Sequence, residues 1–398
     1  MAGSLGRMLS SRSKVDPFEV MTVLDRVARL RAEGRDVISL CAGEPAGGAP
    51  SAVNREAARL HAAGTPFGYT PALGIAALRE RLAEHYGRWY PVELDPGRVA
   101  ITTGSSGGFL LTFLAAFDAG DAVALARPGY PAYRNILSSL GCRVVELDCG
   151  PEVRFQPTVA QLAAAHREQP LKGLILASPA NPTGTMVTRT ELAAIVDWCR
   201  ANGVLLVSDE IYHGVTYDGT RGASALEFGD DAVVVSSFSK YWGMTGWRLG
   251  WLVLPPGLVD AVDALSGNLA LCPPAPAQHA ALAAFTPESY AECDAAIQGF
   301  AAARQLLLEA QPRLGWGVAA PADGAFYYYA HLGAQLERFG DSSRYAAQLL
   351  DATGVALTPG RDFDAMHGGE TVRLSFAAGV TEVAEAIERI VAFQTRTD

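Results

Sequence analysis

The chain has 398 residues, a net charge of -10 at pH 7, 49% apolar residues and 19% charged residues. An acidic chain of this kind argues against a nucleic-acid partner, because phosphate binding needs a basic face. Its six cysteines form no CxxC pair and have no histidine at metal-ligand spacing, so we expect reduced thiols and no metal site. No stretch resembles a signal peptide or stays apolar long enough to span a bilayer, so we expect a cytosolic protein that does not enter membranes.

The first predicted elements are helices separated by a glycine-rich loop. Apolar residues fall on one face of a predicted helix over residues 19–33, and again over residues 75–86. Between them, the sequence LCAGEPAGGAP contains Gly43 and predicts an irregular loop. Such a loop lets the backbone approach a ligand closely, although a plain connector between domains explains it equally well.

Short apolar runs then alternate with helix-length segments. Thr188 and Glu191 form a capping box at the start of one of these helices, which continues to residue 202. Strands that alternate with helices predict an α/β fold, with a mostly parallel sheet covered by helices on both faces. The predicted strands are residues 99–101, 122–126, 144–147, 174–177, 204–207, 233–235 and 252–254.

The pattern changes after about residue 257. Prolines at 273, 274 and 276 break the chain, and an alanine-rich helix is predicted over residues 288–309. Two strand-like runs, FYYYA and VRLSF, bracket a further helix near residues 342–353. We interpret this part as a smaller α+β unit that the amino-terminal segment completes. The predicted domains are therefore a large one over 51–284 and a small one made of 1–50 and 285–398.

The loops that follow the predicted strands carry most of the chemically useful side chains. In a parallel sheet, ligands bind beyond the carboxyl ends of the strands, so these loops are expected to meet. The first loop begins a helix, where free amides suit a phosphate. In chain order, the set is Gly104, Ser105, Ser106, Tyr130, Asn181, Asp209, Tyr212, Ser237, Ser239, Lys240 and Arg248.

Each member of this set also has a simple structural explanation. Asp209 could cap a helix, Asn181 could serve a turn, and Lys240 could be a solvated surface residue. Surrounding aromatic residues, however, would lower the pKa of the Lys240 amine and suit it to forming a Schiff base. Together, the loops would supply donors for a phosphate, an aromatic ring for stacking, a carboxylate, a phenol and one lysine. This combination fits a phosphorylated aromatic aldehyde, which describes pyridoxal phosphate.

Several motifs extend this interpretation over nearly the whole chain. SPANPTG, SDEIY, SFSK and TGWRLG occur in that order, together with AGEP, FGYTPALGIAALRE and VRLSF. This set resembles the class I/II pyridoxal-phosphate aminotransferases of fold type I, the aspartate-aminotransferase-like superfamily. The resemblance implies that Lys240 forms the Schiff base and moves a proton, and that Asp209 pairs with the pyridinium nitrogen. It also implies that Tyr212 and Asn181 bind the ring oxygen, so the expected catalytic residues are Lys240, Asp209 and Tyr212.

The resemblance implies further binding roles. Tyr130 would stack on the cofactor ring, and Tyr69 would reach the phosphate across the interface of a homodimer. Arg373 would clamp the substrate α-carboxylate, with Gly43 and Asn181 beside it. The residues expected around the phosphate are Gly104, Ser105, the Ser106 amide, Ser237, Ser239 and Arg248.

The expected activity is transfer of an amino group from an L-amino acid to a 2-oxo acid, with 2-oxoglutarate as the expected acceptor, by a ping-pong mechanism. Some aspartate-using relatives carry a lysine where Ser106 stands here, which argues against aspartate as the donor. Aromatic residues such as Phe18, Phe67 and Phe326 would suit an apolar donor, although core packing explains them equally well. The alternatives are a pyridoxal-phosphate C–S β-lyase or a related lyase or synthase. A non-catalytic sensor is a further alternative that the acidic chain, without a helix-turn-helix, does not favour.

Overall fold

The computed structural model describes residues 10–217 and 219–395. Residues 1–9 and 396–398 of the predicted small domain lie outside the described residues. The α-helices are α1 (Glu19–Ala32), α2 (Ser51–Ala62), α3 (Ala76–Trp89), α4 (Gly104–Ala116), α5 (Pro131–Leu140), α6 (Val159–Glu168), α7 (Arg189–Asn202), α8 (Val259–Ala270), α9 (Ala275–Ala281), α10 (Pro287–Leu314), α11 (Gln335–Phe339), α12 (Ser342–Thr353) and α13 (Val380–Thr395).

The strands include every run that the alternating pattern predicts. They are β1 (Ile38–Ser39), β2 (Val99–Thr102), β3 (Ala122–Arg127), β4 (Arg143–Asp148), β5 (Leu171–Ala177), β6 (Leu205–Asp209), β7 (Val233–Ser237), β8 (Gly250–Val253), β9 (Tyr327–His331), β10 (Val355–Ala356), β11 (Thr358–Pro359) and β12 (Thr371–Ser375).

The largest sheet has seven strands in the order β2-β8-β7-β6-β5-β3-β4. Strand β8 runs antiparallel to its neighbours β2 and β7, and the other neighbouring strands pair in parallel. The predicted mostly parallel α/β sheet is therefore confirmed.

Helices cover both faces of this sheet. Along β7, Val234 packs in one buried cluster, while Val233 and Val235 pack in another. Successive side chains of a strand point to opposite faces, so this alternation shows that both faces are buried. Full burial of one such side chain contributes about 1.5–3 kcal/mol.

Two smaller sheets involve the carboxyl-terminal part of the chain. Strands β11, β12 and β9 form an antiparallel sheet. Strand β1, from the amino-terminal segment, pairs in parallel with β10 through the partners Ile38 and Val355. The predicted division at residues 50 and 284 stays a prediction, although the two ends of the chain do join here.

Local sequence signals predict some helix ends correctly and others incorrectly. The Thr188–Glu191 capping box is confirmed at the start of α7. The prolines near residue 274 were expected to break the chain, but helix α9 begins there with a proline in its first turn. A proline is tolerated at that position because the first amides of a helix have no partner within the helix. Helix α10 runs past the predicted residue 309 and contains Pro312. None of the described helices combines the length and apolarity needed to cross a bilayer.

Candidate active site

The loops at the carboxyl edge of the large sheet surround a cavity of about 490 Å³. Loops from both smaller sheets and helix α1 complete its wall. The structure therefore brings together most of the residues that the sequence predicts. The predicted residues that line the cavity are Gly43, Ser105, Ser106, Tyr130, Asn181, Asp209, Tyr212, Ser239, Lys240, Arg248 and Arg373.

Lys240 follows β7 and lies largely inside the protein. Its Nζ donates a hydrogen bond to the Gly43 carbonyl oxygen at 2.6 Å. It also lies 5.8 Å from the ring centre of Tyr212 and 5.9 Å from that of Phe326. Burial lowers the pKa of the Lys240 amine to about 8, although the nearby Glu44 carboxylate opposes the shift. A substantial neutral fraction near pH 8 suits the amine to nucleophilic attack.

Asp209 ends β6 and is buried. The Tyr133 hydroxyl donates to Oδ2 of Asp209, and the Ile211 amide donates to Oδ1 at 3.0 Å. Burial raises the pKa of Asp209 to about 6, against the opposing effect of these hydrogen bonds. Tyr133 was not predicted, although it is the second tyrosine of the RPGYPAY motif, which also contains Tyr130.

Tyr212 and Tyr327 form a buried pair of phenols. Their hydroxyl oxygens are 2.6 Å apart. Burial raises the pKa of Tyr212 well above its ordinary value, so the group stays protonated and able to donate. In the sequence, Tyr327 stands out only as part of the FYYYA strand, so its place in this pair was not predicted. A Cβ at Gly43 would lie 2.0 Å from the Tyr327 hydroxyl oxygen, which explains the glycine.

Arg373, on β12, is a buried and preoriented cation. Its Nη1 donates to Asn181 Oδ1 at 2.9 Å, and its Nη2 donates to the Cys41 carbonyl oxygen at 2.7 Å. The rings of Tyr327 and Phe363 face its guanidinium at 4.5 and 4.6 Å. Its buried Nε has no partner, and no carboxylate among the described residues pairs with it. This arrangement leaves a fixed positive charge that can bind a carboxylate.

The start of α4 forms another part of the cavity wall. Thr103 supplies no side-chain cap there, which leaves the first-turn amides free of a side-chain acceptor. Gly104 has φ +67°, and a Cβ on it would lie 2.3 Å from Arg248 Nη2. Arg248 Nη1 donates to the Thr245 carbonyl oxygen at 2.9 Å. A helix start beside a guanidinium is chemically suited to a phosphate.

The remaining three predicted residues lie outside the cavity lining. Gly104 lies directly against the Arg248 guanidinium. Ser237 is buried and its Oγ accepts a hydrogen bond from the Ser239 amide at 3.0 Å, so it holds the loop in place. The Tyr69 side chain is 84% exposed and contacts solvent rather than this cavity.

Comparisons with known proteins identify the family of this chain. The sequence matches the family model described as aminotransferase class I and II over residues 35–390. It is 52% identical to a valine–pyruvate aminotransferase of Mycobacterium tuberculosis, over 95% of this chain and 96% of the relative.

Solved structures give the same result. An aminotransferase from Mycobacterium tuberculosis superimposes with a TM-score of 0.92 at 50% identity, over 97% of this chain and 98% of the other. Aspartate aminotransferase from Thermus thermophilus, solved with maleate, gives 0.89 at 32% identity, over 96% and 99% of the two chains. The chain therefore belongs to the class I and II aminotransferases, and it is a transaminase of fold type I whose cofactor is pyridoxal phosphate.

Proposed function

We propose that this aminotransferase moves the amino group of an L-amino acid to a 2-oxo acid, with the cofactor held on Lys240. The observation that carries the proposal is the buried Arg373 guanidinium. It has no carboxylate partner among the described residues and lines the same cavity as the Lys240 amine. A cavity with one free carboxylate clamp and one reactive amine suits an α-amino acid.

The residues around the cavity fit pyridoxal phosphate. The uncapped start of α4, the Ser105 and Ser239 hydroxyls and Arg248 offer donors to a phosphate, with Gly104 leaving room for the guanidinium. Tyr130 offers an aromatic face in the same cavity. When bound, the cofactor supplies an aldehyde that joins amines and a ring that accepts an electron pair from the neighbouring carbon.

We assign the catalytic roles to Lys240, Asp209 and Tyr212. Lys240 Nζ would hold the cofactor and later carry the proton removed from the substrate Cα, since its lowered pKa suits acid–base work near neutral pH. The Asp209 carboxylate would keep the ring nitrogen protonated, and Tyr133 and the Ile211 amide hold that carboxylate in place. The protonated Tyr212 hydroxyl, with Asn181, would donate to the ring oxygen.

Arg373 would bind the substrate carboxylate, and its own contacts fix its direction. Asn181 and the Cys41 carbonyl oxygen hold the two terminal nitrogens, while Tyr327 and Phe363 enclose the guanidinium plane. A guanidinium held in this way loses little entropy when a carboxylate binds.

The cations of the cavity limit the choice of amino acceptor. The sequence led us to expect 2-oxoglutarate, and that remains a prediction. The cations among the lining residues are Lys240, Arg248 and Arg373, and the roles proposed above occupy all three. A second carboxylate on the acceptor would therefore have no free cation to pair with in the described cavity. This favours a monocarboxylic 2-oxo acid as the acceptor. The name of the valine–pyruvate relative points to pyruvate as that acceptor.

We also propose a homodimer in which Tyr69 reaches the partner's cofactor. Helices α4 and α8 pack together, and Ser266 on α8 donates to the Ala72 carbonyl oxygen near Tyr69. Large apolar side chains on this part of the surface are exposed, which is typical of an interface. They are Tyr69, Leu110, Leu114, Leu269 and Leu271.

A cytosolic location belongs to the same proposal. All six cysteines lie in the described part of the chain and are free thiols, five of them buried. Free thiols are typical of proteins in a reducing compartment, which supports this location.

The wild-type holoenzyme tests the activity directly. With valine and no acceptor, we expect stoichiometric conversion of the cofactor to its amine form, followed by full turnover when a 2-oxo acid is added. Pyruvate should give the higher kcat/KM when it is compared with 2-oxoglutarate. The Lys240→Ala variant, which lacks the amine, should lose nearly all turnover. With S-methylcysteine and no acceptor, steady release of methanethiol, pyruvate and ammonia would instead indicate a C–S β-lyase.

Arg373→Lys tests the carboxylate clamp. The substitution keeps a positive charge but loses the fork that binds a carboxylate through two hydrogen bonds. We expect KM for the amino acid to rise about 10- to 100-fold, in line with the loss of charged hydrogen bonds, with an unchanged affinity for the cofactor. Steady-state kinetics and cofactor titration measure the two effects. An unchanged KM would place the clamp elsewhere.

Gly104→Ala tests the proposed phosphate-binding residues at the start of α4. The new Cβ would collide with Arg248 Nη2 at a positive φ, so cofactor affinity should fall about tenfold or more. Gly107→Ala is the matched control on the same helix, because its Cβ would meet only Thr103 Cβ at 3.6 Å. Titration of the apo-protein with pyridoxal phosphate measures both affinities. Equal affinities would contradict the assignment.

Leu269→Glu tests the dimer. A charge on the proposed interface should shift the protein toward monomers, whereas Val318→Glu, at another exposed apolar residue, should leave the mass unchanged. Light scattering over a range of concentrations measures the mass. A wild-type monomer at all concentrations would rule out the homodimer.

A further inference from the structure

Helix α1 has two halves with different surroundings. Val27 and Leu30, in its second half, are buried in a cluster with Leu350 and Ala356. Phe18, just before the helix, and Val20 and Leu24, in its first half, are only half-buried and line the active-site cavity. The apolar face of α1 therefore continues from the protein core onto the wall of the cavity.

The start of α1 is tied down by a residue distant in sequence. The Glu19 and Val20 amides donate to Oδ1 and Oδ2 of Asp362 at 2.7 and 3.0 Å. Phe18, at the N-cap position, offers no capping side chain, so Asp362 performs that role for the helix. The negative carboxylate also interacts favourably with the helix dipole. Ser343 donates to the Glu19 side chain at 2.7 Å and adds a second link.

The same segment touches the carboxylate clamp. Phe363 follows Asp362, and the Arg373 guanidinium lies 4.6 Å from the centre of its ring. Two consecutive residues therefore connect the start of α1 to the guanidinium. Once Arg373 holds the substrate carboxylate and Lys240 serves the amino group, the side chain on Cα must face the remaining walls of the cavity.

The part of the cavity wall that α1 supplies is apolar. The acidic residues near it would disfavour a second carboxylate on the amino donor. The side chains of Phe18, Val20 and Leu24 carry no polar atom. Glu44 and Asp362 also line the cavity and would repel an acidic side chain. Arg26, farther along α1, is already paired with Asp351.

We propose that Phe18, Val20 and Leu24 form the specificity wall for the donor side chain and select uncharged aliphatic amino acids over dicarboxylic ones. This inference rests on the transaminase function proposed above. Each methylene of the donor side chain that this wall buries should raise kcat/KM for that donor about fourfold, because apolar burial lowers the free energy. Asp362 is a positioning residue, because it acts by fixing where this wall stands.

Val20→Arg tests the wall by a gain of function. A guanidinium at this position should lower kcat/KM for valine and raise it for aspartate or glutamate. We expect the ratio to shift about tenfold or more in favour of the dicarboxylic donor, as expected when a charged partner is supplied. Met21→Arg is the matched control, since it adds the same charge one residue along, at a side chain that is 52% exposed and does not line the cavity. Its ratio should stay at the wild-type value.

A second variant separates selectivity from damage to the fold. Val20→Ala only removes two methyl groups, and it should lower kcat/KM for valine several-fold while leaving the dicarboxylic donors unchanged. The cofactor absorbance of each holoenzyme confirms that the site is intact. If neither Val20 variant changes the ratio more than Met21→Arg does, or if the wild type prefers dicarboxylic donors, the wall is assigned wrongly while transamination itself stands. A wild type that transaminates no amino acid would instead refute the proposed function.

Discussion

The site depends on the register of three neighbouring parallel strands in the middle of the large sheet. Ala177 at the end of β5 lies beside Asp209 at the end of β6, which lies beside Val235 on β7. Because these strands are buried and paired, their ends have little freedom, and the loops that follow them start from fixed points. The amide of Asn181, the carboxylate of Asp209 and the amine of Lys240 reach one cavity for this reason.

Burying charged groups in this cavity costs free energy, and a bound ligand would offset part of that cost. Desolvation raises the pKa of Asp209 and lowers that of Lys240, so the fold opposes the charged form of both groups. Arg373 adds a buried guanidinium with an unpaired Nε. A ligand that supplies a phosphate, a ring nitrogen and a carboxylate would satisfy these groups. Binding would therefore stabilise the folded protein by mass action.

Long-range contacts complete the cavity. Asp362 caps α1, which lies more than 300 residues earlier in the chain, and Phe363 faces Arg373. Strand β1 pairs with β10 close to the same place. The amino-terminal helix, Arg373 and the loop after β3 of the large sheet thus all contact a short segment around residue 362. A shift of this segment would therefore move the start of α1 and the ring that faces Arg373 together.

The sequence alone determined where the seven strands of the large sheet lie along the chain, because apolar periodicity and turn residues are local signals. It also pointed to the loops that carry Lys240, Asp209 and Arg248, because loops after parallel strands meet at one edge whatever the details of packing. It did not show the two-residue strands β1, β10 and β11. Only the tertiary structure showed that Tyr133 donates to Asp209, that Tyr327 pairs with Tyr212, and that Asp362 caps α1. These contacts join residues 76 to 343 positions apart. No local pattern encodes such pairs, because they form only when separate elements pack against one another.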